Sequence, residues 1–361
     1  MPAASLLRTA RSLARAPLSA IPLGVWQNVF PKDVIALGYH VVSDDRLLHQ
    51  KYYPFKNRSQ FEADVAFAAE RLRPVSYPEV EHRRLGHGKL PPRAVLFTFD
   101  DGFAECFDVI RPILLEHGVK GTFFITSSFV NDRSLFFETK VSLAVAAVEQ
   151  LTDGEAAERL GLLGRLDPIR RATAERRLSN ATIRTPLSMA HRELILGLLA
   201  FDQTEEAEIE RACEGLGVDI DAYARGRRLY LTCEQIRQLA ADGFTIGGHG
   251  LAHRPLQQMH PTEIEQEIVR SCEFVREVSG QSTVPFAFPY SGEGIDRRLL
   301  GEIRERHPFL GMIFDTQSLR RELPFIVDRV AADTPPADPH GTNLPQLLSQ
   351  AWSHRQAWFR A

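Results

Sequence analysis

Seven short runs of apolar residues, each ending in a turn or a polar cluster, constrain the fold of this chain more than any other feature. They are VIALGYH (34–40), VLFTFDDG (95–102), GTFFIT (121–126), FTIGGHG (244–250), VPFAFPY (284–290), FLGMIFD (309–315) and FIVDRV (325–330). The runs are continuously apolar rather than alternating, which is typical of parallel strands covered on both faces. Helical stretches separate several of them, so the pattern predicts parallel βα units in a barrel or an open sheet.

Capping patterns predict where two of the intervening helices begin. Thr232 and Gln235 form a capping-box pair at the start of one helix, and Gly243 ends it. Thr262 and Glu265 form a similar pair, which predicts the start of a second helix.

A segment from about residue 138 to 228 interrupts the alternation of strands and helices. It is rich in Ala, Leu, Glu and Arg, shows helical periodicity and contains no run typical of a strand. We interpret 138–228 as a helical insertion in one main domain, which comprises 34–137 and 229–335. The pattern leaves open whether the insertion is a lid, an interaction surface or an inert covering. Residues 336–361 form a C-terminal tail with a Pro-rich loop and a terminal helix.

Composition excludes several classes of function. With a formal net charge of −3, the chain offers no electrostatic basis for binding nucleic acid. The four cysteines lie far apart without a C-x-x-C pair, which favours reduced thiols over a disulfide framework or a thiolate zinc site. No G-x-G-x-x-G or Walker-type loop follows an early strand, so an open-sheet nucleotide enzyme is not predicted.

The first 33 residues predict an N-terminal helical segment with two interpretations. A secretory signal needs an unbroken apolar core, and no run is long enough for a transmembrane helix. The residues that interrupt every apolar run are Arg8, Arg11, Arg15, Pro17 and Pro22. Either the segment is a basic amphipathic helix in peripheral contact with anionic lipid, or it is a frayed or self-packed helix. We expect a cytoplasmic location, at most peripheral to the inner membrane.

Two clusters of polar residues follow predicted strands and carry the chemistry. Asp100 and Asp101 are adjacent carboxylates that repel each other, and at a strand end they are costly unless a positive group lies between them. His249 and His253 lie in TIGGHGLAHRPL, where the glycines and Pro255 favour a loop over a helix. Nitrogen and carboxylate ligands together suit Zn²⁺ or a similar first-row ion, with open positions for water.

The order of three motifs resembles a known family. TFDDG, HGLAH and FPYSG follow successive predicted strands, as in polysaccharide deacetylases with a NodB-type homology domain. GYH (38–40), followed by the helix SQFEADVAFAAERL, is similar to the start of many bacterial members. The resemblance covers roughly residues 34–130 and 229–330. It implies a distorted (β/α)7 barrel, an α/β fold, with its site at the carboxyl ends of the strands.

The resemblance also implies roles for four residues. Asp101, His249 and His253 would bind a divalent metal, with Zn²⁺ favoured and Co²⁺ or Ni²⁺ as alternatives. Asp100 would remain free as the base that deprotonates a metal-activated water. That water attacks an acetamide carbonyl, and the products are acetate and a free amine on the sugar.

Three further residues are implied on the substrate side of the site. The backbone N–H of Tyr290 would stabilise the oxyanion, beside Pro289 in the same motif. His40 either lines the pocket, as in relatives, or only caps its strand.

The chain departs from the family pattern at three points. Phe288 stands where many members have the arginine of R-x-P-Y, and the usual PYG is PYS here, with Ser291 before Gly292. No late Leu-x-His motif supplies a general acid. Protonation of the leaving amine is therefore unassigned, and Asp100 and His40 are both open as its source.

Taken together, these residues predict a metal-dependent carbohydrate deacetylase. Its substrate would be a glycan with acetylated amino sugars, as a polysaccharide, an oligosaccharide or a lipid-linked precursor. One alternative is an O-deacetylase or deformylase of the same family. Another is a catalytically impaired carbohydrate-binding or polysaccharide-assembly protein, which the missing arginine and acid motif favour.

Overall fold

The apolar runs form parallel strands in the computed structural model, which describes residues 34–163, 166–183, 187–316 and 323–348. The strands are β1 (Ile35–Tyr39), β2 (Arg73–Pro74), β3 (Ala94–Phe99), β4 (Gly121–Ile125), β5 (Thr245–Gly248), β6 (Val284–Ala287), β7 (Leu310–Asp315) and β8 (Ile326–Ala331). The predicted N-terminal segment, 1–33, and the end of the predicted tail, 349–361, lie outside the described residues.

Hydrogen bonding between β1 and β3 closes the sheet into a barrel. The strand order is β1-β8-β7-β6-β5-β4-β3, and β1 pairs with both β8 and β3. All of these pairings are parallel, and the short β2 pairs only with the beginning of β3. The predicted (β/α)7 barrel is therefore confirmed.

Helices alternate with the strands and also fill the long segment between β4 and β5. They are α1 (Arg58–Arg71), α2 (Tyr77–Arg84), α3 (Arg111–Glu116), α4 (Phe137–Val148), α5 (Asp153–Arg159), α6 (Pro168–Asn180), α7 (Met189–Leu199), α8 (Glu206–Gly215), α9 (Ile220–Gly226), α10 (Cys233–Ala241), α11 (Pro261–Ser279) and α12 (Arg297–Arg306). Among the described residues, none of these helices is both long and apolar enough to cross a membrane.

Strand β3 shows why the strand sequences are continuously apolar. Val95, Phe97 and Phe99 belong to the core between the sheet and the helices. Leu96, on the opposite face, packs in a second core with Phe124. Both faces of the strand are therefore buried, and burial of each large side chain contributes about 1.5–3 kcal/mol.

One of the two helix starts predicted from capping patterns is confirmed. Thr232 accepts a hydrogen bond from the backbone of Gln235 at the start of α10. Helix α11 begins two residues earlier than the second pattern predicted, because His260 is its N-cap and Glu263 completes the capping box. Pro261 suits the first turn, where its missing N–H costs no hydrogen bond.

Contacts divide the chain into two compact units. The first comprises 1–42, 56–130 and 231–361 and holds the barrel; the second comprises 43–55 and 131–230. Within the second unit, buried Lys51 of the first segment donates hydrogen bonds to Glu149 and to the carbonyl of Thr182. The domain boundaries predicted at 34–137, 138–228 and 229–335 stay a prediction.

Candidate metal centre and active site

The paired carboxylates lie directly after β3, at the carboxyl end of the barrel. The backbone N–H of Asp100 donates to the carbonyl of Tyr39 at 2.9 Å, which extends the β1–β3 ladder by one residue. Asp101 then adopts a left-handed conformation with φ 69°. A non-glycine residue rarely adopts this conformation, and such outliers cluster at functional sites. Both carboxylates are buried, at 4% and 2% exposure.

The histidine loop follows β5 and faces the carboxylates. The backbone N–H of His249 donates to the carbonyl of Ile125 at 2.9 Å. Its Nδ1 lies 2.9 Å from the carbonyl of Ala287, which can only accept, so Nδ1 carries the proton. The lone pair is thereby left on Nε2, as in histidines that bind metals.

Gly250 turns the loop so that both imidazoles reach the same place. It has φ 77°, and an added Cβ would lie 3.3 Å from both Glu267 Oε2 and Pro289 Cγ. Glu267 also accepts a hydrogen bond of 2.7 Å from the N–H of Leu251. These contacts fix the loop from both sides. His253 follows in the loop, has φ 54° and directs its side chain into the site.

Asp101, His249 and His253 converge as one set of ligand atoms. The Nε2 atoms of His249 and His253 lie 3.4 and 3.1 Å from Asp101 Oδ1. The three donor atoms lie within 4.8 Å of one another, and all three side chains are buried. Asp101 Oδ1 is buried, yet it accepts no well-formed hydrogen bond from the described residues. A carboxylate oxygen beside two imidazole nitrogens suits a divalent first-row ion, so the residues fit the predicted metal.

Asp100 is held by an arginine that the sequence analysis missed. Arg329 on β8 donates from Nη1 to Oδ1 at 2.6 Å and from Nη2 to Oδ2 at 2.8 Å. Burial raises the pKa of Asp100, but the charge of Arg329, with His249 and further hydrogen bonds, outweighs burial and lowers it. Asp100 therefore stays ionised close to the three ligands, with Oδ2 3.9 Å from His249 Nε2.

The position of Arg329 explains one departure from the family pattern. Phe288, which replaces the expected arginine, is fully buried in the core. The guanidinium comes instead from FIVDRV, where only a strand was predicted. The signal in the sequence was an arginine inside a continuously apolar run, since a buried arginine needs a partner.

His40 follows β1 and pairs with Asp333, a second residue that the sequence analysis missed. His40 Nδ1 lies 2.8 Å from Asp333 Oδ2, and the backbone N–H of His40 donates to Asp333 Oδ1 at 2.8 Å. His40 Nε2 points toward Asp100, 3.9 Å from Oδ2. Burial lowers the pKa of His40, but Asp333, Asp101 and Asp100 outweigh it and raise the pKa to about 10. The imidazole is therefore protonated at neutral pH.

Tyr290 and Pro289 lie against the histidine loop. The ring of Tyr290 packs edge-on against His253 with centroids 4.8 Å apart, and the residue is 43% exposed. Tyr290 has φ 59°, so it too adopts a left-handed conformation. The structure thus brings all seven predicted site residues to one end of the barrel, and adds Arg329 and Asp333.

Part of the chain matches the sequence model of a known family. The sequence model of the polysaccharide deacetylase family matches residues 87–155 and 205–305. The matched segments contain the two carboxylates, the histidine loop and Tyr290, whereas His40, Arg329 and Asp333 lie outside them. No curated protein matches the chain in sequence.

Solved structures share the fold at low sequence identity. The Streptococcus pyogenes deacetylase PplD, in complex with acetate, aligns with 14% identity and a TM-score of 0.53 over 90% of this chain and 99% of that chain. A candidate polysaccharide deacetylase from Bacillus anthracis aligns with 11% identity and a TM-score of 0.50 over 89% of this chain and 69% of that chain. These likenesses support the barrel fold.

Proposed function

This chain belongs to the polysaccharide deacetylase family and is a carbohydrate deacetylase, and from that premise we propose a metal-dependent hydrolysis of N-acetyl groups. The substrate is an acetylated amino sugar in a polysaccharide, an oligosaccharide or a lipid-linked glycan precursor. The observation that carries the proposal is the convergence of Asp101, His249 and His253 beside an ionised Asp100.

Asp101, His249 and His253 hold the divalent ion in this proposal, with Zn²⁺ favoured over Co²⁺ and Ni²⁺. When bound there, the ion supplies Lewis acidity toward water and toward an acetamide carbonyl. His249 Nδ1 donates a hydrogen bond to the Ala287 carbonyl, which leaves the lone pair of Nε2 directed at the ion.

Asp100 acts as the general base. It accepts a proton from the attacking water, and Arg329 fixes the carboxylate through both oxygens at 2.6 and 2.8 Å. The lowered pKa of Asp100 keeps the carboxylate ionised at neutral pH, so that it can accept a proton.

His40 acts as the general acid that protonates the leaving amine. Its raised pKa, about 10, means that the proton is present at neutral pH, and Asp333 holds the ring at 2.8 Å. His40 Nε2 lies 3.9 Å from Asp100 Oδ2, so acid and base face the same volume. The backbone N–H of Tyr290 stabilises the oxyanion, and its exposed ring offers a sugar-stacking surface.

Acetate release from a short chitin oligomer tests the proposal. The protein as purified should release acetate, lose the activity with a chelator, and regain it with Zn²⁺. Asp100→Asn should lower kcat at least 100-fold with its metal content unchanged, because the amide cannot accept the proton. An aryl acetate ester measured in parallel separates amide from ester hydrolysis. Metal-loaded protein that binds the oligomer without releasing acetate would refute the proposal.

The alternative of a glycan-binding protein without turnover rested on two missing features, the arginine of R-x-P-Y and the Leu-x-His motif of the general acid. In this proposal Arg329 takes the role of the missing arginine, and the His40–Asp333 pair takes the role of the missing general acid. We therefore retain the enzyme as the proposed function.

A further inference from the structure

We infer that Asp315 is a positioning residue, which holds the turn from Phe288 to Gly292 so that the N–H of Tyr290 faces the acetamide oxygen. This inference rests on the proposed function, because the oxyanion role of that N–H belongs to it. Asp315 is the last residue of β7 and is fully buried, with 0% exposure. It acts through the turn, because its carboxylate bonds to the backbone of Gly292 and Thr316 and to Arg297.

The turn is strained at the residue that would serve the reaction. Tyr290 has φ 59°, a conformation that costs a non-glycine residue about 1–2 kcal/mol. Ser291 follows at once and donates its N–H to the carbonyl of Pro289 at 2.7 Å. Such a conformation persists only where its surroundings enforce it, so the contacts that enforce it identify the positioning groups.

Asp315 and Arg297 hold the Gly292 residue from both sides. Asp315 Oδ1 accepts from the N–H of Gly292 at 2.9 Å and from the N–H of Thr316 at 2.7 Å. Arg297 donates from Nη2 to Asp315 Oδ2 at 2.7 Å and from Nη1 to the carbonyl of Gly292 at 2.8 Å. The N–H and the carbonyl of Gly292 are therefore both engaged by one ion pair, in which Asp315 is buried and Arg297 is partly buried.

Gly292 is required for this arrangement to fit. A Cβ there would lie 2.5 Å from Phe288 Cε2 and 2.8 Å from Asp315 Oδ2. Contacts this short are excluded, so the carboxylate approaches the backbone as closely as only glycine allows. Ser291 stands where the family pattern has its glycine, so the glycine that meets Asp315 here is the next residue, Gly292.

Thr316 holds Tyr290 itself. Its Oγ1 donates to the carbonyl of Tyr290 at 2.8 Å, and its side chain is exposed. Just before it, the carbonyl of Phe314 accepts from the N–H of Phe288 at 3.1 Å. The turn is therefore fixed to the end of β7, and through the closed sheet to the strands that present the metal ligands.

The direct test compares variants of the zinc-loaded full chain on a short chitin oligomer. Asp315→Ala should lower kcat about 10- to 100-fold, because misplacement of an oxyanion donor by about 1 Å has that effect. KM should stay within about 3-fold and the metal content should be unchanged. Asp242→Ala is the matched control, since it removes a carboxylate from an arginine pair at 2.6 Å before β5, and it should leave kcat unchanged.

Thr316 provides a variant that tests the inference even if Asp315→Ala does not fold. Thr316→Val removes the hydroxyl at an exposed position and should lower kcat several-fold without changing the melting temperature. Thr316→Ser restores the hydroxyl and should restore kcat. A role in stability alone would not produce this rescue.

The outcomes separate this inference from the proposed function. If the zinc-loaded protein releases no acetate from any acetylated amino sugar, the proposed function fails and the inference fails with it. If the protein is active while Thr316→Val keeps full kcat, and Asp315→Ala either keeps full kcat or does not fold, only the inference is overturned. Loss of metal together with kcat in Asp315→Ala would overturn it as well.

Discussion

The general base Asp100 depends on its ion pair with Arg329. Both are buried, and the guanidinium contacts both carboxylate oxygens. A buried carboxylate without a partner is driven toward its neutral form, because burial disfavours charge. The arginine therefore determines whether Asp100 can accept a proton.

Replacing Arg329 should change the pH dependence of the reaction as well as its rate. In Arg329→Gln, burial raises the pKa of Asp100 while the opposing charge is gone. The acid limb of the kcat/KM profile should therefore move to higher pH, and the rate at neutral pH should fall about 100-fold. Measurement of kcat/KM from pH 5 to pH 9 would show this.

Arg329→Lys is the matched control for that experiment. It keeps a positive charge but cannot bind both carboxylate oxygens in the same plane, so its profile should lie between those of the other two proteins. An unchanged acid limb in Arg329→Gln would show that the guanidinium does not set the protonation of Asp100.

At the level of elements, the histidine loop depends on the conformation of Gly250. The left-handed backbone is needed there, and the space for a side chain is closed by Glu267 and Pro289. The backbone conformation and the lack of space for a side chain have different effects. The backbone strain lowers stability, whereas the contacts displace the loop that carries His253.

Gly250→Ala and Gly280→Ala separate the two effects. The two glycines have φ 77° and 74°, but nothing lies within 4 Å of an added Cβ at Gly280. Both variants should lose about 1–2 kcal/mol of unfolding free energy. Only Gly250→Ala should bind Zn²⁺ more weakly, by at least 10-fold in a competition titration with a chelator. Equal zinc affinity in the two variants would contradict the role assigned to the loop.

The elements were predictable from sequence where the information is local. Continuous apolar runs predicted the strands, and TFDDG and HGLAH lie within single strand–loop junctions. Arg329 and Asp333 were missed because their partners, Asp100 and His40, lie 229 and 293 positions away along the chain. The contacts that group 43–55 with 131–230 are likewise distant along the chain.

At the scale of the whole molecule, stability below neutral pH should depend on His49 in the second unit. His49 is buried, with Nδ1 2.9 Å from the hydroxyl of Tyr223. Burial, with the charge of Arg227 as a smaller cause, lowers the pKa of His49 to about 3. The unfolded chain keeps a pKa of about 6.5, so between these values it binds the proton more readily than the folded chain.

The free energy of unfolding should therefore decrease as the pH falls below about 6.5, by up to about 1.4 kcal/mol per pH unit from this group. Urea unfolding of the wild type and of His49→Gln at pH 7, 6 and 5 measures the difference. The variant should be less stable at pH 7, and its disadvantage should shrink toward pH 5. A constant difference across the three pH values would show that His49 titrates normally in the folded chain.

The closure of the barrel through β1 has a consequence for how the site fails. Asp100 follows β3 and Arg329 lies on β8, and β1 lies between these two strands. The ion pair therefore crosses over β1. The metal ligands instead follow β3 and β5, which are joined through β4. We call the pairing of β1 with β3 and β8 the seam of the barrel. A local opening of this seam would separate Asp100 from Arg329 and leave Asp101, His249 and His253 together. Catalytic turnover would report on an intact seam, and metal content would not.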